Sequence, residues 1–325
     1  MLYLEELLDA VIAEEGQTLM GLDFLIETLD LPMSKIDLLF KKALAEYSER
    51  RPMKKTEVFN SFDYTADDDG NGETGYIKMP EGTTSCRVAR YGVLPNQMPR
   101  YYMQKFGEQN VEFDIPTCTC KVWPPVTPLR LTYTQRYTAT NNIRIEKIVD
   151  VPYETDEYEL ILPTYFASKT LSIQKNVIRV NEETGESEPV ILEMRPTGYI
   201  NETKVGNEIV EEAILKGTLG SGTVNTKTRE MNLQLVDESI APLVISYYPK
   251  YSVVKELDLG NYLFTRVFAV KVLTALASLR AQAQQEKLHN ITLDQDQLLS
   301  RVADLKKEIR DLLRASFSFA DTAPI

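Results

Sequence analysis

The sequence predicts an α+β protein in which N- and C-terminal helices pack together and carry a large central antiparallel, sandwich-like β-rich insertion. Three observations predict it. Apolar residues recur at helical spacing over residues 1–52, period-2 alternation and β-branched residues take over from 53, and helical spacing returns after Asp258. The expected organisation is N-terminal helices over 1–52 and a β-rich region over 53–255, either one sandwich or two small modules at about 53–150 and 175–250. A C-terminal helix pair and tail over 256–325 then packs with 1–52. A length of 325 residues fits roughly two domains at about 150 residues each.

Leu4, Leu7, Leu8, Val11 and Ile12 form the first helical stripe, with Gly16 placed as its C-terminal cap. Leu22, Leu25, Ile26 and Leu29 form a second, and Pro32 breaks the chain. Ser34, with Asp37 three residues on, opens a third helix through Ile36, Leu39, Phe40, Ala43, Leu44 and Tyr47, which Pro52 closes. Three short amphipathic helices are not stable alone and must dock on something.

In the middle, Leu129, Leu131 and Tyr133 alternate with Arg130, Thr132 and Thr134, and Met231, Leu233 and Leu235 alternate with Asn232 and Gln234. Ile143 and Ile145, then Val149 and Val151, alternate with polar residues, and Leu243, Ile245 and Tyr247 oppose Val244, Ser246 and Tyr248. Asn181 to Gly185 separates two strand-like runs as a hairpin connection. Tyr158–Lys175 reads either as one helix or as two strands broken at Pro163. Leu259 to Gln285 is an Ala-rich helix, and Asp294 caps a last one. There Leu298, Val302, Leu305, Ile309 and Leu312 repeat at 4-3-4-3, a seam of about two heptads. The seam serves either as an oligomer interface or as the face that packs on the N-terminal helices. The tail Ser316–Ile325 is apolar and either disordered or laid against a neighbouring subunit.

Composition excludes several classes. The 36 Lys+Arg against 48 Asp+Glu leave a net charge of −12, which argues against a general nucleic-acid binder. Three Cys are too few for a disulfide framework and point to a reducing compartment. Glu5, Glu6 and Asp9 stand where a secretory signal carries basic residues, and Arg266 and Lys271 interrupt the longest apolar stretch, so neither a leader nor a membrane span is expected. One His, His289, lies between predicted helices and reads as a surface residue, so an enzyme is not expected. No carboxylate pair is singled out by spacing, and Trp123 with Pro124 and Pro125 reads as a strand end held by a buried aromatic.

Three motifs carry conceivable chemistry. Asp67, Asp69 and Asn71 reproduce the first half of a calcium loop, but Thr74 and Lys78 stand where its second half needs an aliphatic residue and a bidentate Glu. The alternative is a solvated acidic hairpin tip. Cys118 and Cys120 share one face if the segment is a strand; they offer two thiols to a soft metal or another chain, or remain reduced and half-buried. Gly217, Gly220 and Gly222 lack the Lys-Ser/Thr of a phosphate loop and read as turn glycines. No cofactor is expected.

Three stretches resemble tailed-bacteriophage virion proteins of the neck or head–tail connector class. Ala43 to Pro52 is similar to a recurring helix end that precedes a β-strand. Gly222 to Leu235, followed by Val244 to Tyr248, resembles a repeated β-hairpin motif. Ala275 to Arg280 followed by Ile291 to Leu299 resembles a C-terminal helix pair. The resemblance implies a virion structural protein made in the host cytoplasm. It would self-assemble into a ring, twelve-fold rather than six-fold, join portal to tail or neck proteins, and line a channel for DNA without binding it specifically. The acidic balance suits such a conduit. A second expectation is a baseplate or adhesin-type binding module using Tyr91, Tyr101, Tyr102, Tyr133, Tyr137, Tyr247 and Tyr248. An acid-pair enzyme ranks last.

Overall fold

A computed structural model describes residues 1–29, 31–61, 63–66, 73–91, 111–122, 129–151, 157–180, 186–205, 208–236, 241–285 and 293–320. The chain runs β1 (Leu2–Tyr3), α1 (Leu4–Gly16), α2 (Leu22–Thr28) and α3 (Met33–Arg50), then β2 (Met53–Phe59), β3 (Asp63–Ala66), β4 (Glu73–Lys78), β5 (Thr83–Tyr91), β6 (Val111–Asp114), β7 (Thr119–Val122) and β8 (Leu129–Gln135). It continues through β9 (Ile145–Val149), β10 (Glu157–Ile161), β11 (Ser172–Val180), β12 (Ser187–Val205), β13 (Glu208–Gly217), β14 (Gly220–Asn225), β15 (Glu230–Leu235), β16 (Leu243–Tyr247) and β17 (Val253–Val254), and closes with α4 (Tyr262–Gln285) and α5 (Gln295–Ala320). The α+β class is the observed one, with helices at both ends and the sheets between them. Tyr158–Lys175 forms two strands with Pro163 between them, the second of its two readings.

Contacts divide the chain into two compact units, one of residues 1–40 with 139–325 and one of 41–138. The larger unit holds an eight-stranded sheet in the order β10-β15-β14-β13-β12-β11-β16-β9, with every neighbour antiparallel. One face buries Ile173, Val177, Met194, Leu215, Met231, Leu233 and Ile245, as period-2 patterning requires. Ile145–Val149 belongs to this sheet because it pairs with Leu243–Tyr247, so the first β module ends at Thr138.

The helices of this unit form their own packed layer. Phe40 meets the rings of Phe264 and Phe268 edge-on, with centroids 5.7 and 5.9 Å apart. Helix α5 packs along α4, and Leu298, Leu305, Val302 and Ile309 are buried there, with Leu312 half-buried. This corrects the oligomer-interface reading of the seam, because its apolar side chains are already enclosed within the single chain. Residues Tyr262–Ala283 are, by length and composition, apolar enough to cross a membrane, with a mean hydropathy of 1.5. Arg266 and Lys271 therefore do not disqualify the segment, contrary to the sequence expectation. Most of it is buried inside the protein as a core helix.

The smaller unit contains a three-stranded sheet, β2-β8-β5, and a four-stranded sheet, β3-β4-β7-β6. Their shared core is Ile77, Met79, Cys120, Val122, Leu129, Leu131 and Tyr133. The alternation over residues 129–135 holds, with its three apolar residues inside and Arg130 outside.

Candidate functional site

Asp67, Asp69, Asn71, Trp123 and His289 lie outside the described residues, as do Tyr101, Tyr102 and the last five residues of the tail. The glycine motif is structural. Gly217 and Gly220 flank the β13–β14 turn, and a Cβ on either would stand 1.9 and 2.0 Å from the carbonyl oxygens of Glu193 and Gln234. Gly220 also has φ +144°, a conformation side-chain-bearing residues avoid. Of the tyrosines proposed as a binding surface, Tyr133 and Tyr247 are buried, and Tyr137 lies half-buried against Tyr47.

The cysteines are arranged differently from the expected shared strand face. Cys118 is in a left-handed turn at φ 54°, and its thiol donates to the Pro80 carbonyl at 3.3 Å. Cys120, on β7, is fully buried, and Cys86, on β5 of the other sheet, packs against the same core. The neighbouring Cys120 pulls the half-buried Cys86 thiol below its ordinary range, while Cys86 and burial push the Cys120 thiol up.

Two polar clusters sit in the interior of the larger unit. At the start of α1, the Glu5 carboxyl is almost fully buried. One of its oxygens accepts from Thr164 Oγ1 at 2.7 Å and from the Tyr165 backbone N–H at 2.8 Å. Burial pushes the Glu5 carboxyl above its ordinary value, against these two donors and nearby Arg229. Arg229 has φ 65° in the β14–β15 turn. Its guanidinium donates to the Pro163 carbonyl at 2.8 Å and lies 5.3 Å from the centre of the Tyr165 ring. The segment Pro163–Tyr165 is thus gripped from α1 on one side and from a hairpin turn on the other. Tyr247 lies nearby, its hydroxyl pushed up by burial and by Tyr3, Glu5 and Glu6.

The second cluster joins three helices. Arg266 of α4 donates to Glu15 of α1 at 2.7 Å and also to Glu14 and the Tyr262 hydroxyl, while Glu308 of α5 lies 3.2 Å from its Nε. Arg301 of α5 donates to the other oxygen of Glu15 at 2.7 Å and to Glu308 at 3.1 Å. A cavity of about 650 Å³ opens beside it, lined by Thr18, Met20, Gln297, Ser300, Arg301 and Asp304. Arg301, the basic group lining that cavity, is already held by two carboxylates. Both clusters act as internal struts.

The exposed chemistry lies on the outer face of the eight-stranded sheet. Ile178, Val180 and Ile191 are 78, 63 and 61% exposed, and Ile178 stands directly opposite Pro189 across the β11–β12 pair. Ile148, opposite Val244, adds a further exposed aliphatic residue near the sheet edge. Between them runs a fixed polar ladder, in which one Glu193 oxygen accepts from Ser172 at 2.7 Å, Gln174 at 3.1 Å and Arg195 at 2.6 Å. Arg195 above all holds the Glu193 carboxyl below its usual range. Towards the β10 edge the same face forms a hollow of about 470 Å³ bordered by Glu157, Glu159, Ser221, Thr223, Asn232 and Gln234.

The sequence reading missed Glu5, Glu15, Arg229 and this outer face. A signal was present for Glu15: it falls four residues after Val11, in line with an apolar stripe, where a charge needs a buried partner. Compared with known protein families, curated proteins and solved structures, the chain matches none.

Proposed function

We propose that the chain is a structural assembly protein, a self-associating subunit of the ring at the head–tail junction of a tailed phage. One observation carries the reading. The outer face of the large sheet presents Ile178, Val180, Pro189 and Ile191 together to solvent, beside a pre-ordered polar ladder. A contiguous exposed aliphatic patch with a polar border is the anatomy of a protein–protein contact. A head-to-tail contact of this patch with a different surface of the next subunit is the mode that closes into a ring.

Local structure at the resembling stretches supports the same reading. The helix end at residues 43–50 leads into β2, residues 222–235 form the β14–β15 hairpin, and residues 275–280 and 295–299 lie in the α4–α5 pair. Portal and tail proteins are the proposed neighbours, with DNA passing through the ring without specific contact. The tyrosine-based adhesin reading is weaker, since Tyr133 and Tyr247 point into cores.

The test is the solution mass of the purified chain by light scattering over a concentration series, with negative-stain images of the same fractions. Rings of twelve or six copies with a central hole support the proposal, and I178D/I191D should abolish them. A monomer at every concentration, even with a portal ring added, would overturn it.

A further inference from the structure

We propose that the outer face of the large sheet, at its β10 edge, binds a neutral oligosaccharide laid along the β10–β15 strand pair. The proposal stands independently of the assembly reading, whose aliphatic patch lies on β11 and β12. Register places six polar side chains in two rows. Glu157 stands opposite Gln234, which stands opposite Ser221, and Glu159 stands opposite Asn232, which stands opposite Thr223. The rows are two residues apart on each strand, so all six side chains point to one side of the sheet. They border the hollow of about 470 Å³, a volume within the range of small-ligand sites. A second hollow of about 430 Å³ follows the same strand pair and shares Glu159 and Asn232 with the first. That shared lining makes the two hollows one groove running along the strands.

The polar groups of this groove are unclaimed by the protein. None of the six side chains makes a hydrogen bond or ion pair with another described residue. Elsewhere on the same face the polar groups satisfy one another, as where one Glu193 oxygen accepts from Ser172, Gln174 and Arg195. The open set is two carboxylates, two amides and two hydroxyls, which offer acceptors and donors side by side. A polyhydroxylated ring answers that set, because each of its hydroxyls both donates and accepts. Two carboxylates without a paired cation repel an anionic ligand. A simple cation would satisfy the carboxylates and leave the amides and hydroxyls unused. Apolar contact is supplied as well. Half-buried Ile214, opposite Thr223, lines the first hollow, and Ile161, 57% exposed, lines the second. The C–H face of a sugar packs on such side chains while its hydroxyls reach the polar rows.

The experiment titrates the full-length chain with cellotriose, maltotriose, chitotriose and fucosyllactose, and with sialyllactose as the anionic control. Saturation-transfer difference NMR and calorimetry read the binding. At least one neutral trisaccharide should bind, and sialyllactose should bind more weakly than it does. Glu159→Ala and Asn232→Ala lie at exposed positions shared by both hollows. Each should weaken binding by about tenfold, the loss of one or two hydrogen bonds, while thermal unfolding stays as in the parent. I178D/I191D, on the patch proposed for assembly, should bind sugar as the parent does. Failure of every neutral trisaccharide to bind at millimolar concentration, equal or tighter binding of sialyllactose, or binding that survives both Glu159→Ala and Asn232→Ala would each overturn the proposal. None of these outcomes bears on the ring, which light scattering reads separately.

Discussion

Glu15 and Arg266 face each other at 2.7 Å in the interior, the carboxylate wholly shielded from solvent and the guanidinium almost so. The pair joins the C-terminal end of α1 to the first turns of α4, and through Arg301 it reaches α5 as well. A buried ion pair seldom adds much net stability over an apolar contact of equal volume, because two charges lose their hydration. What it does add is register. Only one sliding position of three helices lets two guanidiniums and three carboxylates satisfy one another.

Removing one partner should therefore be far worse than removing all. Glu15→Ala leaves Arg266 and Arg301 buried with one fewer carboxylate and should cost about 3–5 kcal/mol in urea unfolding. Replacing Glu15, Arg266 and Arg301 together with apolar residues of similar volume should recover most of that loss. Equal loss in the single and triple variants would show that the cluster contributes stability outright.

The seam of α5 and the outer face of the sheet should separate cleanly by measurement. Leu305 is fully enclosed, so Leu305→Ala should lower stability by about 2–5 kcal/mol and leave the oligomeric state of the remaining folded chain unchanged. I178D/I191D should do the reverse, shifting the association equilibrium while the unfolding midpoint of the monomer moves little. Light scattering and thermal unfolding on the two variants read both quantities.

These contrasts show what was legible in the sequence. The helical stripes, the alternation over 129–135 and 231–235, and the glycine turn are local patterns, and the structure carries them; the helix ends differ, since Gly16 lies inside α1 with Gln17 as its cap, and α3 begins at Met33, ahead of Ser34. The destination of a face is not local. Leu298 to Leu312 announces an apolar seam at 4-3-4-3 spacing, but only the fold shows that the seam closes on α4. Ile178 and Ile191 look like core residues in sequence; their orientation follows from pairing with Pro189 and Asn176, which puts Val177 and Leu192 inside. Cys86 packs against the core that encloses Cys120 from the other sheet, a relation that no spacing encodes.

The β13–β14 turn gives a sharp backbone test. Gly220→Ala places a methyl group against the Gln234 carbonyl at a φ of +144°, so neither the space nor the conformation suits it. The expected loss is about 1–3 kcal/mol or more in thermal unfolding. Ser221→Ala next to it, on the outer face, should change stability by less than about 0.5 kcal/mol.

The last prediction concerns pH. Glu5 has a folded value raised above its ordinary 4.5, chiefly by burial. The folded state therefore holds this proton more tightly than the unfolded chain does. The contribution from Glu5 is fully present below about 4.5 and is lost as pH rises through the folded value. Glu5→Gln keeps an oxygen to accept from Thr164 and the Tyr165 N–H but cannot ionise. It should match the parent well below pH 4.5 and exceed it at neutral pH. Glu193 has the opposite sign, because its lowered value adds stability above the ordinary carboxylate range that fades as pH falls. The difference between parent and Glu5→Gln across pH 4.5–8 cancels that background. Glu5→Ala removes the acceptor altogether and should cost about 1–3 kcal/mol at every pH. A parent-minus-Gln difference that stays flat with pH would mean that the Glu5 carboxyl titrates in the fold as it does in the open chain.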